Sequence, residues 1–140
     1  MSYRPKVLFA AVASKLHVER ARKTSEMAFS ALGREDLELE GSARPVLEAS
    51  ELSEMVSRPA DVRVIFVASG GTSRLLRDAL KNVEAILWAH PNDNSLPSAL
   101  SAREKLRTEG AWRGEIAFSR PDALPSELRA EIRAVRALKE

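Results

Sequence analysis

The chain has 140 residues, 44% apolar and 30% charged, with a formal net charge of +2. That length supports one domain with one layered core, the composition excludes a disordered chain, and no stretch approaches the roughly 20 consecutive apolar residues of a bilayer-spanning helix. No cysteine is present, which excludes disulfides, thiolate nucleophiles and cysteine-ligated metals.

Residues 6–13 (KVLFAAVA) form a continuous apolar run of strand length, the kind buried on both faces of a parallel sheet. The run lacks the small-residue cleavage pattern of a secretory signal, so it reads as a first strand and the protein is expected in the cytoplasm. Over residues 16–32 the apolar positions Ala21, Ala28 and Leu32, with Met27 and Phe29 beside them, recur at helical spacing, and Gly33 follows where helices often end. DLELE (36–40) alternates and RPVLE (44–48) continues in extended style, giving a second strand. SELSEMVSR (50–58) then reads as a helix capped by Ser50, with Glu51 and Glu54 in its first turn.

VRVIFVAS (62–69) is the most apolar run and belongs at the centre of the sheet. Leu75, Leu76, Ala79, Leu80 and Val83 form the next helical stripe. AILWAH (85–90) is a fourth strand, and NSLPSALSAREKLR (94–107) a helix that Asn94 or Ser95 could cap, with Pro97 in its first turn and Leu96, Leu100 and Leu106 inward. EIAFS (115–119) is a short fifth strand. In LPSELRAEIRAVRAL (124–138) the positions Leu124, Leu128, Ile132, Val135 and Leu138 share one apolar face. Around that face the bases alternate with acids and no aromatics are interleaved, so no nucleic-acid partner is expected. Interleaved charges, abundant arginine and the absence of glutamine are compatible with a heat-adapted protein.

Five strand–helix units in strict alternation predict a three-layer α/β/α domain over residues 1–140. Right-handed crossovers favour a five-stranded parallel sheet in the flavodoxin-like order 2-1-3-4-5. In such a sheet ligands bind beyond the carboxyl ends of the strands, at the point where connections diverge to opposite faces. Three polar loops converge there. Strand one supplies Ser14 and His17, strand three supplies Ser69, Gly70, Gly71 and Thr72, and strand four supplies His90, Asn94 and Ser95. The paired glycines let the backbone approach a ligand or a neighbouring loop, and amides opening helix three would point outward as donors. The alternative for the same turn is a tight strand-to-helix connection with Thr72 as N-cap.

Several chemistries lack their residues. No lysine follows Gly70-Gly71 as a phosphate loop requires. His17 and His90 sit alone in separate loops without a carboxylate at ligand spacing, so no metal is expected. Ser69, His90 and Asp93 make a triad only on paper, because Ser69 lacks the G-x-S-x-G elbow. No acidic residue ends a central strand, which argues against phosphoacceptor chemistry, and SKLH after strand one is not a flavin phosphate loop; no cofactor is expected. Trp88 and Trp112 could be stacking platforms, but a tryptophan beside a strand is more often core.

ASGGTSRLL, ILWAHPNDNSLPSALSAREKLRTEG and LRAEIRAVRALKE together resemble the N-terminal domain of the L-fucose isomerase-like family, which carries a GGT turn after its third strand and an NSLPAALE-type segment after its fourth. The likeness runs from about residue 50 to the end, and Asn94 to Leu100 is its most specific part. It implies a flavodoxin-like domain that helps bind a sugar, often at a subunit boundary, with Gly70, Gly71, Thr72, Asn94 and Ser95 at the ligand-facing edge. Family members continue into further domains that hold the catalytic metal, and Ser101 stands where their pattern has glutamate. A complete isomerase is therefore not expected of these residues alone. The expectation is a module for a sugar or similar polar metabolite, homo-oligomeric or paired with a partner subunit. The remaining alternatives are a subunit serving a separate catalytic chain and a small enzyme using His17 or His90 as acid/base.

Overall fold

A strand buried on both faces needs cover on both sides, and β1 (Lys6–Val12), β3 (Val62–Val67) and β4 (Ala85–Ala89) are buried at nearly every position. The computed structural model describes residues 3–140. Between those strands run a 3-10 turn (Lys15–His17), α1 (Val18–Gly33), β2 (Glu38–Val46), α2 (Ala49–Val56) and α3 (Ser73–Ala79). After β4 come α4 (Ser95–Thr108), β5 (Gly114–Phe118) and α5 (Ser126–Lys139). All neighbouring strands pair in parallel, in the order β2-β1-β3-β4-β5. The three-layer fold is the one that the alternation of apolar runs and helical stripes predicts.

Two cores result from the strict alternation of side chains across the sheet. On one face Val7, Phe9, Val64, Phe66 and Trp88 pack against Ala21, Ala28 and Leu32 of α1 and Leu128 and Ile132 of α5. On the other, Ala10, Val12, Ile65, Val67 and Leu87 meet Leu52 of α2, Leu76 of α3 and Ala99, Ala102 and Leu106 of α4. Trp88 is fully buried, edge-on to Phe66 with ring centroids 5.2 Å apart, and its indole N–H donates to Ser119 Oγ at 3.0 Å. Trp112 is also buried, so both tryptophans are core side chains. Among the described residues, no helix is long and apolar enough to cross a membrane.

Several local expectations need correction. Helix α2 starts at Ala49 with Glu48 in the extended N-cap position, so Ser50 lies inside the first turn and does not cap. On α4 the buried face is Ser95, Ser98, Ala99, Ala102 and Leu106, while Leu100 is exposed, because small residues let this helix lie close to α3 and the sheet. Leu16 and Leu138 are 90% and 86% exposed. Leu16 sits on the 3-10 turn outside the helical register of α1. The apolar stripe of α5 outruns its support: 14 helical residues span about 21 Å, against about 17 Å for the five residues of β5.

Candidate functional site

The carboxyl ends of β1, β3 and β4 bring the three predicted loops together, and most of their polar groups bond to one another. Beyond β1, Ser14 donates its N–H to Ser69 Oγ at 3.0 Å, and that hydroxyl donates to the Gly70 carbonyl at 3.0 Å. Gly70 N–H reaches the Asp93 carbonyl at 2.7 Å, tying the loop after β3 to the loop after β4. A Cβ on Gly70 would lie 2.7 Å from Asn94 Cβ, so glycine here allows the close approach of a neighbouring loop. Gly71 has φ +74° and faces Ser14, where a Cβ would stand 3.3 Å from Ser14 Cβ; its left-handed backbone is the turn itself.

Thr72 occupies the N-cap position of α3 without making a capping bond. Its hydroxyl donates to the Ser69 carbonyl at 3.0 Å and lies 2.8 Å from Ser98 Oγ, while its N–H donates to Ser98 Oγ at 3.2 Å. The Thr72 amide, one residue before α3, therefore points into the protein. Ser98 is the residue that sequence reasoning missed. The available signal was a serine four residues after Asn94, on what proves to be the inner face of α4.

His90 is fully buried, with its ring stacked on Phe66 at 5.3 Å between centroids. Its Nε2 lies 2.9 Å from the Ala68 carbonyl, and its Nδ1 accepts the Asn92 N–H at 3.3 Å. Those partners define a neutral ring with the proton on Nε2. Ser95, also buried, accepts the His90 N–H at 3.0 Å and donates to the Val67 carbonyl. Asp93 and Asn94 both have left-handed backbones, with φ of 56° and 58°. Asn94 stands at the N-cap of α4 without a side-chain capping bond, so neither Asn94 nor Ser95 caps as expected. Asp93 binds Arg20 of α1 at 2.8 Å and makes no bond to His90, so Ser69, His90 and Asp93 do not form a triad.

The predicted residues thus divide into two groups. Ser69, Thr72, His90 and Ser95 are buried and hold the loops in place. Ser14, His17, Gly70, Gly71 and Asn94 keep some or all of their surface at the rim. Ser14 differs from the rest: its Oγ is shielded from solvent and has no hydrogen-bond partner among the described residues. Lys15 and Arg20 flank the rim, paired with Glu48 at 3.6 Å and Asp93 at 2.8 Å. Among the described residues no three His, Cys, Asp or Glu side chains are grouped to hold a metal ion.

At the opposite end of the sheet a groove of about 540 Å³ opens where β3, β4 and β5 begin, lined by Val62, Ile86, Glu84, Arg113, Glu115 and Glu131 among others. Arg63 belongs to this end and donates to the Val56 and Arg58 carbonyls at 2.7 and 2.8 Å, closing the last turn of α2. Nearby, Tyr3 Oη and Lys6 N–H donate to Asp61 Oδ2 at 2.6 and 2.8 Å. The tyrosine bond, then the amide bond, hold the Asp61 carboxyl below the usual carboxylate range, and the same contact raises the Tyr3 phenol. No protein-family model matches the chain and no curated protein matches it, so the geometry of the rim is what supports a function.

Proposed function

We propose that this domain binds a small polar ligand, a sugar or a similar polyhydroxylated metabolite, at the rim formed by Ser14, Gly70, Gly71 and Asn94, with His17 at its margin. The observation that carries this reading is the unpartnered Ser14 Oγ beside the left-handed Gly71. A shielded hydroxyl without a partner costs free energy, and rotation about the Cα–Cβ bond of this half-buried serine would carry it to the rim, where a ligand hydroxyl would satisfy it. Asn94 adds an exposed carboxamide able to donate and accept. Ser69, Thr72, His90 and Ser95 act as the support that keeps the rim rigid, so binding requires little reordering. The reading agrees with the resemblance of the GGT turn and the Asn94–Leu100 segment to the N-terminal domain of L-fucose isomerase-like proteins. Acid/base catalysis by His90 is disfavoured, because both ring nitrogens are occupied inside the protein.

The test is a thermal-shift screen of free sugars and sugar phosphates against the parent, Ser14→Ala and Asn94→Ala. Removing an unsatisfied hydroxyl leaves the unliganded melting temperature unchanged or slightly raised. A ligand that raises Tm in the parent but not in Ser14→Ala or Asn94→Ala supports the site, since stabilisation by mass action requires binding to the native state. Equal shifts in all three proteins, or no shift with any compound, defeat it.

A further inference from the structure

The two edges of the sheet are built differently. β2 is interrupted by a register irregularity opposite Phe9 and Ala11, carries Pro45, and presents Glu38 and Arg44, all features that discourage a further strand. β5 carries neither proline nor bulge. Ser119 N–H bonds to the Ala89 carbonyl, so Ser119, Ala117 and Glu115 aim their backbone groups at β4 while Gly114, Ile116 and Phe118 aim theirs away. No hydrogen bond among the described residues meets those outward groups. Phe118 is 45% exposed and lies on the α4 side of the sheet with Ile116, which packs against that core.

We infer that β5 pairs antiparallel with β5 of a second copy of this chain, joining two sheets across a two-fold axis. The outward residues select the register. With Ala117 facing the partner's Ala117 on the axis, Ile116 and the partner's Phe118 become a hydrogen-bonded pair, and symmetry repeats it. Each exposed Phe118 then lies beside an isoleucine, a favourable cross-strand combination, and Glu115 faces the partner's Ser119. Sliding the partner so that Ile116 faces the partner's Ile116 brings Glu115 diagonal to the partner's Glu115, and one step further sets them directly opposite. Like charges disfavour both alternatives. Sliding the other way, with Phe118 facing the partner's Phe118, sets Ile116 opposite the partner's Arg120 and forfeits both isoleucine–phenylalanine pairs. So short an edge buries less surface than a permanent dimer, and association is therefore reversible and concentration-dependent.

Sedimentation equilibrium of the parent, Phe118→Lys and Ile116→Pro tests this. Residue 116 does not use its N–H within the sheet, so proline there is compatible with the fold of an edge strand. The expected result is a parent mass rising from one chain to two with concentration, and both variants remaining at one chain with parent-like circular dichroism. Should Ile116→Pro unfold, Phe118→Lys alone decides. A parent that stays at one chain into the millimolar range, or a folded Phe118→Lys that associates as readily as the parent, overturns the inference.

Discussion

The two ends of the sheet pose opposite cases. The groove beneath β3–β5 has volume and carboxylates, but Arg63 there closes α2, and Asp61 is committed to Tyr3 and Lys6. At the rim above β1, β3 and β4 the shielded side-chain polar groups are matched among the described residues except for one hydroxyl, Ser14 Oγ. Concavity arises wherever helices fail to cover strand ends, whereas the unmet Ser14 hydroxyl belongs to a half-buried loop residue at the rim. Unlike the equally unmet Ser25 Oγ and Trp112 Nε1 inside the protein, it is within reach of a partner outside the chain. The rim is therefore the better functional candidate although it is the shallower place.

The sharpest way to break this comparison is to remove the support of the rim. His90→Ala empties a fully buried site and strips partners from the Ala68 carbonyl and the Asn92 amide; we expect a loss of about 3 kcal/mol in chemical denaturation. A loss under about 0.5 kcal/mol, the range of ordinary surface changes, would mean that the network does not rigidify the loops.

The glycines come next. Gly70→Ala forces a methyl against Asn94 and should cost roughly 1–3 kcal/mol, and Gly71→Ala, held at positive φ, about 1 kcal/mol. Both losses are read from urea unfolding midpoints. The reverse order would place the strain at the turn instead of between the two loops.

The smallest effect lies at the other end. Because folding lowers the Asp61 pKa, its contribution to stability is complete above the ordinary carboxylate pKa and is lost as pH falls through the folded value. The raised Tyr3 phenol works in the opposite direction: its contribution is present below the ordinary phenol pKa and disappears as pH rises through the folded one. Tyr3→Phe removes the phenol's contribution and the tyrosine part of the Asp61 shift while the Lys6 amide bond stays, so parent and variant should differ slightly at neutral pH and converge in acid. A difference constant across the acid range would show that the contact is not linked to ionisation.

How much was legible depended on how local the cause was. The runs 6–13, 62–69 and 85–90 could be read as central strands because a strand covered on both faces tolerates almost no polar residue. The start of α2 was misplaced because Ser50 has a good capping side chain, but the chain enters the helix two residues earlier. The α4 stripe was misread because leucine marks an inner face only where space exists for it, and α3 leaves room there for serine and alanine.

By itself, then, the sequence determined the order of elements, the parallel sheet and the convergence of three polar loops, since periodicity and crossover handedness act along the chain. Only the tertiary structure decided which loop residues face inward. Ser69, Thr72, His90 and Ser95 are polar residues in polar loops, indistinguishable by type from Ser14 and Asn94. What separates them is the hydrogen-bond partner each finds in a loop remote along the chain, such as Ser98 for Thr72 or the Val67 carbonyl for Ser95. A buried hydroxyl is stable only when such a partner is within reach, and that distance exists only after the sheet has brought the loops together.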